Sequence, residues 1–268
     1  MISTRRRRRL TVHEAAISAA LRRRGLVWDG QRDTSPLLLP DGRARDEHYR
    51  LLAHYSYRLF LRDLLKYRED LRLERLTRYA NADTAAGYLR ILRRARLVQP
   101  GQGGVYRLLA SGVTSFGPTL EWYVAEILAR EFGYAVASGL RIPGARHGGD
   151  YDVVASAEGD LLYAEVKSAP PRQIVEPEIR AFLDRIDTLR PDVALFLADT
   201  KLRMRDKLVP LFRTEIRRRR LSWKGRRLER EIWTVGPEVY LLNAAPDLAG
   251  NLRRCLAAHF RGRGIAVG

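Results

Sequence analysis

The sequence predicts an α/β C-terminal domain on a mixed sheet, behind a mostly α-helical N-terminal domain that closes on a hairpin. Three observations carry this. Apolar residues recur at helical spacing between residues 47 and 96, as in Leu51, Leu52, Tyr55, Leu59, Leu64 and Leu65, then Leu89 and Leu92. From residue 118 onward, short β-type runs alternate with helical stretches, the pattern of an α/β domain. The charge also changes sign along the chain. Residues 1–100 carry 23 basic and 11 acidic groups, 101–200 carry 9 and 14, and 201–268 carry 17 and 6.

Taken in order, Arg5–Arg9 resembles the basic start of a signal peptide, but His13 and Glu14 interrupt the apolar stretch that such a peptide needs. Its arginine content also suits an organellar transit peptide; a short helix is the better reading. Thr11 and Glu14 have the spacing of a capping box, and Gly25 stops the helix after Arg22–Arg24. Residues 29–46 read as a linker, so 1–46 is expected to be a basic helix plus linker. A helix over 47–68 and a shorter one over 71–79 come next. Asn81-Ala82-Asp83 supplies a turn and N-cap for a third, Thr84–Arg96, whose Arg90, Arg93, Arg94 and Arg96 lie mostly off the apolar face. Leu97-Val98, a Gly-rich turn and 105–109 complete a hairpin. Three helices closed by a hairpin over 47–110 resemble a winged helix-turn-helix, a layout whose third helix enters the DNA major groove. The alternative is a small helical interaction domain with solvated arginines.

In the C-terminal domain, 118–268, a helix over 118–132 leads to strands at 135–142, 151–157 and 161–167. A helix at 178–189, a buried strand at 193–198, a helix at 203–217, strands at 232–235 and 239–242, and a last helix at 247–260 complete it. Cys255 on that helix reads as core.

Composition excludes several classes. The 268 residues include one cysteine, so a disulfide framework or multi-cysteine metal site is out, and a reducing cytoplasm is expected. The longest apolar run, Val193–Ala198, is six residues, far short of a membrane span. A net charge of +18 suits a polyanion partner, and a uniform arginine excess would not leave the acidic centre. The run Arg217, Arg218, Arg219, Arg220, Lys224 and Arg226, with Trp223 among it, would hold phosphates that central carboxylates repel. Trp223 anchors a turn or stacks on a base.

The chemistry is concentrated in Asp150-Tyr151-Asp152 and Glu165-Val166-Lys167. A tight hairpin centred on Glu158-Gly159 pairs residues whose numbers sum to 317, so Asp152 faces Glu165 with Cβ atoms about 5 Å apart. Side chains alternate with period two, which puts Lys167 and Asp150 on that face and Val153, Ala155, Leu162, Ala164 and Val166 on the core side. Two adjacent carboxylates repel unless a cation lies between them, and a hard divalent ion with oxygen ligands, Mg2+ or Mn2+, resolves the conflict. A neighbouring lysine orients or deprotonates water, or offsets charge on the phosphorane-like state. His147 is read as a loop histidine.

Asp152…Glu165-Val166-Lys167, behind a helix bearing Glu121, resembles the PD-(D/E)XK nuclease superfamily, whose restriction-endonuclease-like core matches the order over 118–199. The resemblance implies that Asp152 and Glu165 ligate metal with the Val166 carbonyl, that Lys167 is the catalytic lysine, and that Glu121 joins the site. Glu121 has a second reading, as a first-turn acid favoured by the helix dipole. Tyr151 stands where relatives often have proline, and Gln173 and Arg180 are candidates for the polar residue relatives carry on the next helix. A winged helix ahead of such a domain is similar to the Mrr-type restriction enzymes and to the C-terminal part of a group of prokaryotic P-loop ATPases. This chain lacks G-x-x-x-x-G-K-[ST], so a partner ATPase would have to come from elsewhere. The expected function is metal-dependent DNA hydrolysis in restriction, defence or repair, with a homodimer for double-strand cuts and no membrane partner. The alternatives are a catalytically silent DNA-binding regulator or adaptor, and an RNA-directed nuclease.

Overall fold

The computed structural model describes residues 10–145 and 149–262. The readings for Arg5–Arg9 and His147 lie outside them. The chain divides into two compact units, one made of the residues up to Thr34 with those from Val124 onward, the other Ser35–Tyr123. Helix α1 spans Val12–Arg22 and has the expected capping box: Glu14 N–H donates to Thr11 Oγ1 at 3.2 Å, and Thr11 N–H to Glu14 Oε2 at 2.7 Å. It does not form a segment apart. Ile17, Ala20 and Leu21 are buried in the core of the large sheet, so α1 belongs to the unit that carries the strands.

The Ser35–Tyr123 unit contains α2 (Ala44–Leu52), α3 (Tyr55–Lys66), a 3-10 turn at Leu73–Leu76, α4 (Ala82–Arg94), and the strands β1 (Val98–Pro100) and β2 (Tyr106–Leu108). The single helix expected over 47–68 is two. Arg58, fully buried, donates to the carbonyls of Leu52 (2.5 Å) and Ala53 (3.2 Å), which satisfies acceptors freed where the helix breaks. His48, neutral because burial lowers its pKa to about 4, bonds the Tyr57 hydroxyl across the break at 3.0 Å. The expected 71–79 helix is replaced by the 3-10 turn, because Leu71 makes a bridge with Tyr106 beside the hairpin. Asn81 caps α4 by accepting from Thr84 N–H at 2.8 Å. The helix ends two residues before expectation, with Arg96 at φ +55 in its C-terminal turn.

Helix α5 spans Gly117–Phe132. Then come β3 (Ala135–Arg141), β4 (Asp150–Ala157), β5 (Asp160–Lys167), α6 (Glu176–Leu189), β6 (Val193–Ala198), α7 (Leu208–Arg218), β7 (Arg226–Glu229), β8 (Ile232–Gly236), β9 (Val239–Asn243) and α8 (Leu248–Gly262). The strands form one mixed sheet in the order β3-β4-β5-β6-β9-β8-β7, parallel at β5-β6 and β6-β9 and antiparallel elsewhere. β7 is an addition to the expected strands; its exposed arginines read as part of a solvated charge run. One core joins α1, α6 and α7 to sheet residues Val154, Tyr163, Ala194, Phe196 and Leu241. Within it Tyr163, Phe182, Phe196 and Phe212 form a chain of ring contacts with centroids 5.2–5.7 Å apart. Such contacts add about 0.5–1.5 kcal/mol each beyond area burial, and they fix the stretch of β5 that leads to Glu165. The opposite face is also apolar and buried, at Val153, Ala155, Leu162, Ala164 and Leu195. Cys255 is buried as expected, and Trp223 packs on Gly236, the turn-anchor reading. Among the described residues no helix is long and apolar enough to cross a membrane.

Candidate active site

The β4–β5 hairpin turns at Glu158 (φ +50) and Gly159 (φ +95), and its ladder runs from Ala157↔Asp160 to Val153↔Ala164, the expected register. Beyond Val153 the regular alternation stops. Tyr151 and Val154 pack in the same core although three residues apart, so the period-two pattern breaks at Asp152. The flanking pairs set Asp152 opposite Gly139, whose φ is +61 and whose missing Cβ would lie 3.0 Å from Asp33 Cβ. At this break Asp152 Oδ2 accepts the backbone N–H of Val166 at 2.7 Å. The aspartate thereby clasps the strand that presents Glu165 and Lys167.

Glu165 is not on an open face. It is 1% exposed and covered by α6. Tyr163 hydroxyl donates to its Oε2. Arg185 Nη1, from α6, donates to Oε1 at 3.0 Å and Oε2 at 2.7 Å. Lys167 Nζ stands 2.8 Å from Oε1 and 3.3 Å from Glu178 Oε1. The charge conflict foreseen between two carboxylates is therefore met by two protein cations. Burial alone would raise the Glu165 pKa, but Lys167, Arg185 and the hydrogen bonds outweigh it and hold the carboxyl below its usual range. Burial would likewise lower Lys167, yet Glu165, Asp152 and Glu178 push it above the usual lysine value. Lys167 is an ammonium at neutral pH, which favours charge offset over proton abstraction among the roles expected for it.

Arg185 is not among the residues that the sequence singles out on this helix, Gln173 and Arg180. Gln173 is exposed on a 3-10 turn, and Arg180 pairs with Glu176 at 3.3 Å and faces Glu215 at 3.9 Å. A signal exists all the same: Arg185 interrupts the apolar stripe of Phe182, Ile186 and Leu189 and has no acid three or four residues away. Its partner has to lie on another element.

The remaining candidates are dispersed. Asp150 forms a two-point pair with Arg141 at 2.5 and 3.1 Å, as an edge acid. Glu121 is half-buried on α5 and belongs to the Ser35–Tyr123 unit. Because α5 starts at Gly117, Glu121 falls in its second turn and the first-turn dipole reading is corrected. Arg90, Arg93, Arg94 and Arg96 are exposed or half-exposed, Arg94 within 3.1 Å of Glu47. In the basic run, Arg217, Arg220, Lys224 and Arg226 line the surface, but Arg218 and Arg219 are tied to Glu215, and Arg219 also to Asp184 and Asp187. Arg219 is thus an internal brace, contrary to the phosphate-binding expectation. Among the described residues no three His, Cys, Asp or Glu side chains gather into an ion-binding group.

No family model matches the chain, and no curated protein matches it in sequence. Solved structures do. Can2 from Sulfobacillus thermosulfidooxidans, in complex with cyclic tetra-adenylate (cA4), superposes with a TM-score of 0.52 at 13% identity over 90% of this chain and 60% of its own. Protein VC1899 from Vibrio cholerae superposes with a TM-score of 0.53 at 16% identity over 92% and 62%. This chain spans about three fifths of the length of those structures. The likeness is one of fold: a mixed α/β architecture with a large mixed sheet, compatible with the restriction-endonuclease-like class.

Proposed function

We propose that the protein is a divalent-metal-dependent nuclease that hydrolyses DNA phosphodiester bonds. The observation that carries this reading is the clasp at the strand break, where Asp152 holds the Val166 N–H and Glu165 and Lys167 flank it on β5. The donor set on the sheet fits a hard divalent ion in kind: two carboxylates, Asp152 and Glu165, and the Val166 carbonyl. The Lys167 ammonium, 2.8 Å from Glu165, marks a place that already attracts a cation. When bound, Mg2+ or Mn2+ supplies a polarised phosphate oxygen and a water of lowered pKa. Asp152 and Glu165 hold that site. Lys167 keeps its proton and stabilises negative charge on the phosphoryl oxygens as the water–phosphorus bond forms and the ester P–O bond breaks.

DNA docking is assigned to the Ser35–Tyr123 unit, read as a winged helix. The support is α4 with Arg90, Arg93 and Arg96 at its surface next to the hairpin. Arg217, Arg220, Lys224 and Arg226 provide further phosphate contacts on the sheet unit. Purified protein should nick or cut duplex DNA with Mg2+ or Mn2+, stop with EDTA, and lose cleavage in Glu165→Ala and Lys167→Ala. DNA binding without cleavage of supercoiled, linear or single-stranded DNA by the wild type would transfer the reading to an adaptor. Preferential cutting of RNA in the same assay would make it an RNA nuclease.

A further inference from the structure

Lys167 is drawn by three acids. Its Nζ is 2.8 Å from Glu165 Oε1 and 3.3 Å from Glu178 Oε1, and Asp152 adds attraction from β4. Two of the three, Asp152 and Glu165, are the carboxylates assigned to the divalent ion. The ammonium stands on the Glu165 oxygen that such an ion would share. Of the groups on Glu165, Lys167 is the one with somewhere to go. Arg185 spans both oxygens, and Tyr163 is buried in the core. Lys167 needs only a short shift toward Glu178, the acid that the ion leaves to it. Its side chain is 20% exposed, so water alone would solvate the released ammonium incompletely.

Glu178 is held ready for that exchange. It lies in the first turn of α6, and its Oε2 accepts the Val175 N–H at 3.0 Å, the reach-back bond of a capping box. This bond fixes the carboxylate while Oε1 faces Lys167. Among the described residues, Lys167 is the one cation within ion-pair distance of Glu178.

We propose that Glu178 is the positioning residue for Lys167, taking the ammonium from Glu165 when that carboxylate binds a divalent ion. Lys167 then remains charged and in the site while Glu165 serves as ligand. The proposal rests on the metal-dependent nuclease reading and adds to it a residue outside the Asp152, Glu165 and Lys167 set.

The test follows free Mn2+ by electron paramagnetic resonance during titration of the full chain, without nucleic acid. Wild type, Glu178→Gln, Lys167→Met and the double variant are compared. Glutamine can still accept the Val175 N–H, so the cap is kept. Glu178→Gln should weaken Mn2+ binding roughly 3- to 20-fold, within the span of coupling between contacting groups, because the ammonium then stays on Glu165. In the Lys167→Met background the same substitution should change the affinity by less than about twofold, the limit of simple additivity. An equal loss in both backgrounds overturns the proposal, since Glu178 would then act on the ion directly. No loss in the Lys167 background overturns it too.

A measurement on wild type needs no variant at 178 to fold. The chain has five lysines, and 15N-lysine spectra should keep the Lys167 ammonium signal when Mg2+ is added, sheltered by Glu178. Loss of that signal to solvent exchange would mean that the ammonium moves into water, and the proposal fails. Wild type that binds Mn2+ and cuts with Mg2+, beside a Glu178→Gln protein of unchanged Mn2+ affinity, sinks the Glu178 assignment alone. No Mn2+ binding by wild type, or cleavage indifferent to EDTA, sinks the nuclease reading and the assignment with it.

Discussion

Two buried glutamates in the sheet-bearing unit, Glu165 and Glu215, are each surrounded by cations, and they differ in where those cations come from. Glu215 is met by Arg218 at 2.5 and 2.7 Å and by Arg219 at 2.8 Å, three and four residues on along α7. Helical geometry brings these two to Glu215, and from α6 Arg180 adds only a looser approach at 3.9 Å. Hydrogen bonds from Arg218, then Arg219, hold its carboxyl down to about 2. Glu165 takes one partner from β5 two residues away and another from α6, twenty residues on. The close partners of Glu215 are local and stabilise its own helix, whereas those of Glu165 are brought together from β5 and α6 only in the folded domain. The second kind is where a ligand can compete.

The largest expected difference is in activity. Glu165→Gln should lower cleavage at least about a hundredfold, the scale seen for lost ligands and charge stabilisers, while Glu215→Gln leaves cleavage per folded molecule unchanged. Urea unfolding should show the reverse emphasis, with Glu215→Gln less stable than wild type because the buried carboxylate's hydrogen bonds with Arg218 and Arg219 are weakened. A Glu215→Gln protein that folds normally and fails to cut would break the distinction. The next effect is on acid stability. A depressed carboxyl contributes stability above its unfolded value, about 4.3, and loses that contribution as the pH falls toward about 2. The unfolding midpoints of wild type and Glu215→Gln should therefore converge as acid is added over that window. Midpoints that stay equally far apart down to the lowest pH would assign the difference to packing instead. The smallest effect is on DNA affinity. Arg217→Gln or Arg220→Gln should reduce the salt slope of duplex binding by about 0.9 each; Arg219→Gln, already spent on Asp184, Asp187 and Glu215, should leave the slope alone.

The same contrast explains which features are legible in the sequence. The capping box at Thr11, the Asn81 cap, the Glu158-Gly159 hairpin and the β4–β5 register depend on neighbours in sequence, and all four are present. The helix break at residues 53–54 is hidden because its cause is the burial of Arg58, a residue that local pattern assigns to solvent. β7 is hidden for a related reason. At the rim of the sheet its side chains stay wet, and Arg226-Arg227 carry no apolar alternation. In the site, the types and spacing of Asp152, Glu165 and Lys167 are visible, but the irregularity at Gly139 and the reach of Arg185 from α6 are tertiary facts. Counting a basic run also overstates its capacity for phosphate, since Arg219 is an internal brace and Arg218 is paired with Glu215.

The sheet's two margins are closed by different means. Along β3, residues 31–33 run as a cover: Asp33 N–H donates to the Gly139 carbonyl at 2.6 Å and Arg141 N–H to that of Gln31 at 3.0 Å. Along β7 there is a short strand with two outward arginines. Like charges keep such rims from adding to one another strand by strand, and that repulsion fades as counterions accumulate. High salt is thus the condition in which molecules of this protein can approach rim to rim, so concentrated stocks should keep better at modest ionic strength than in strong brine.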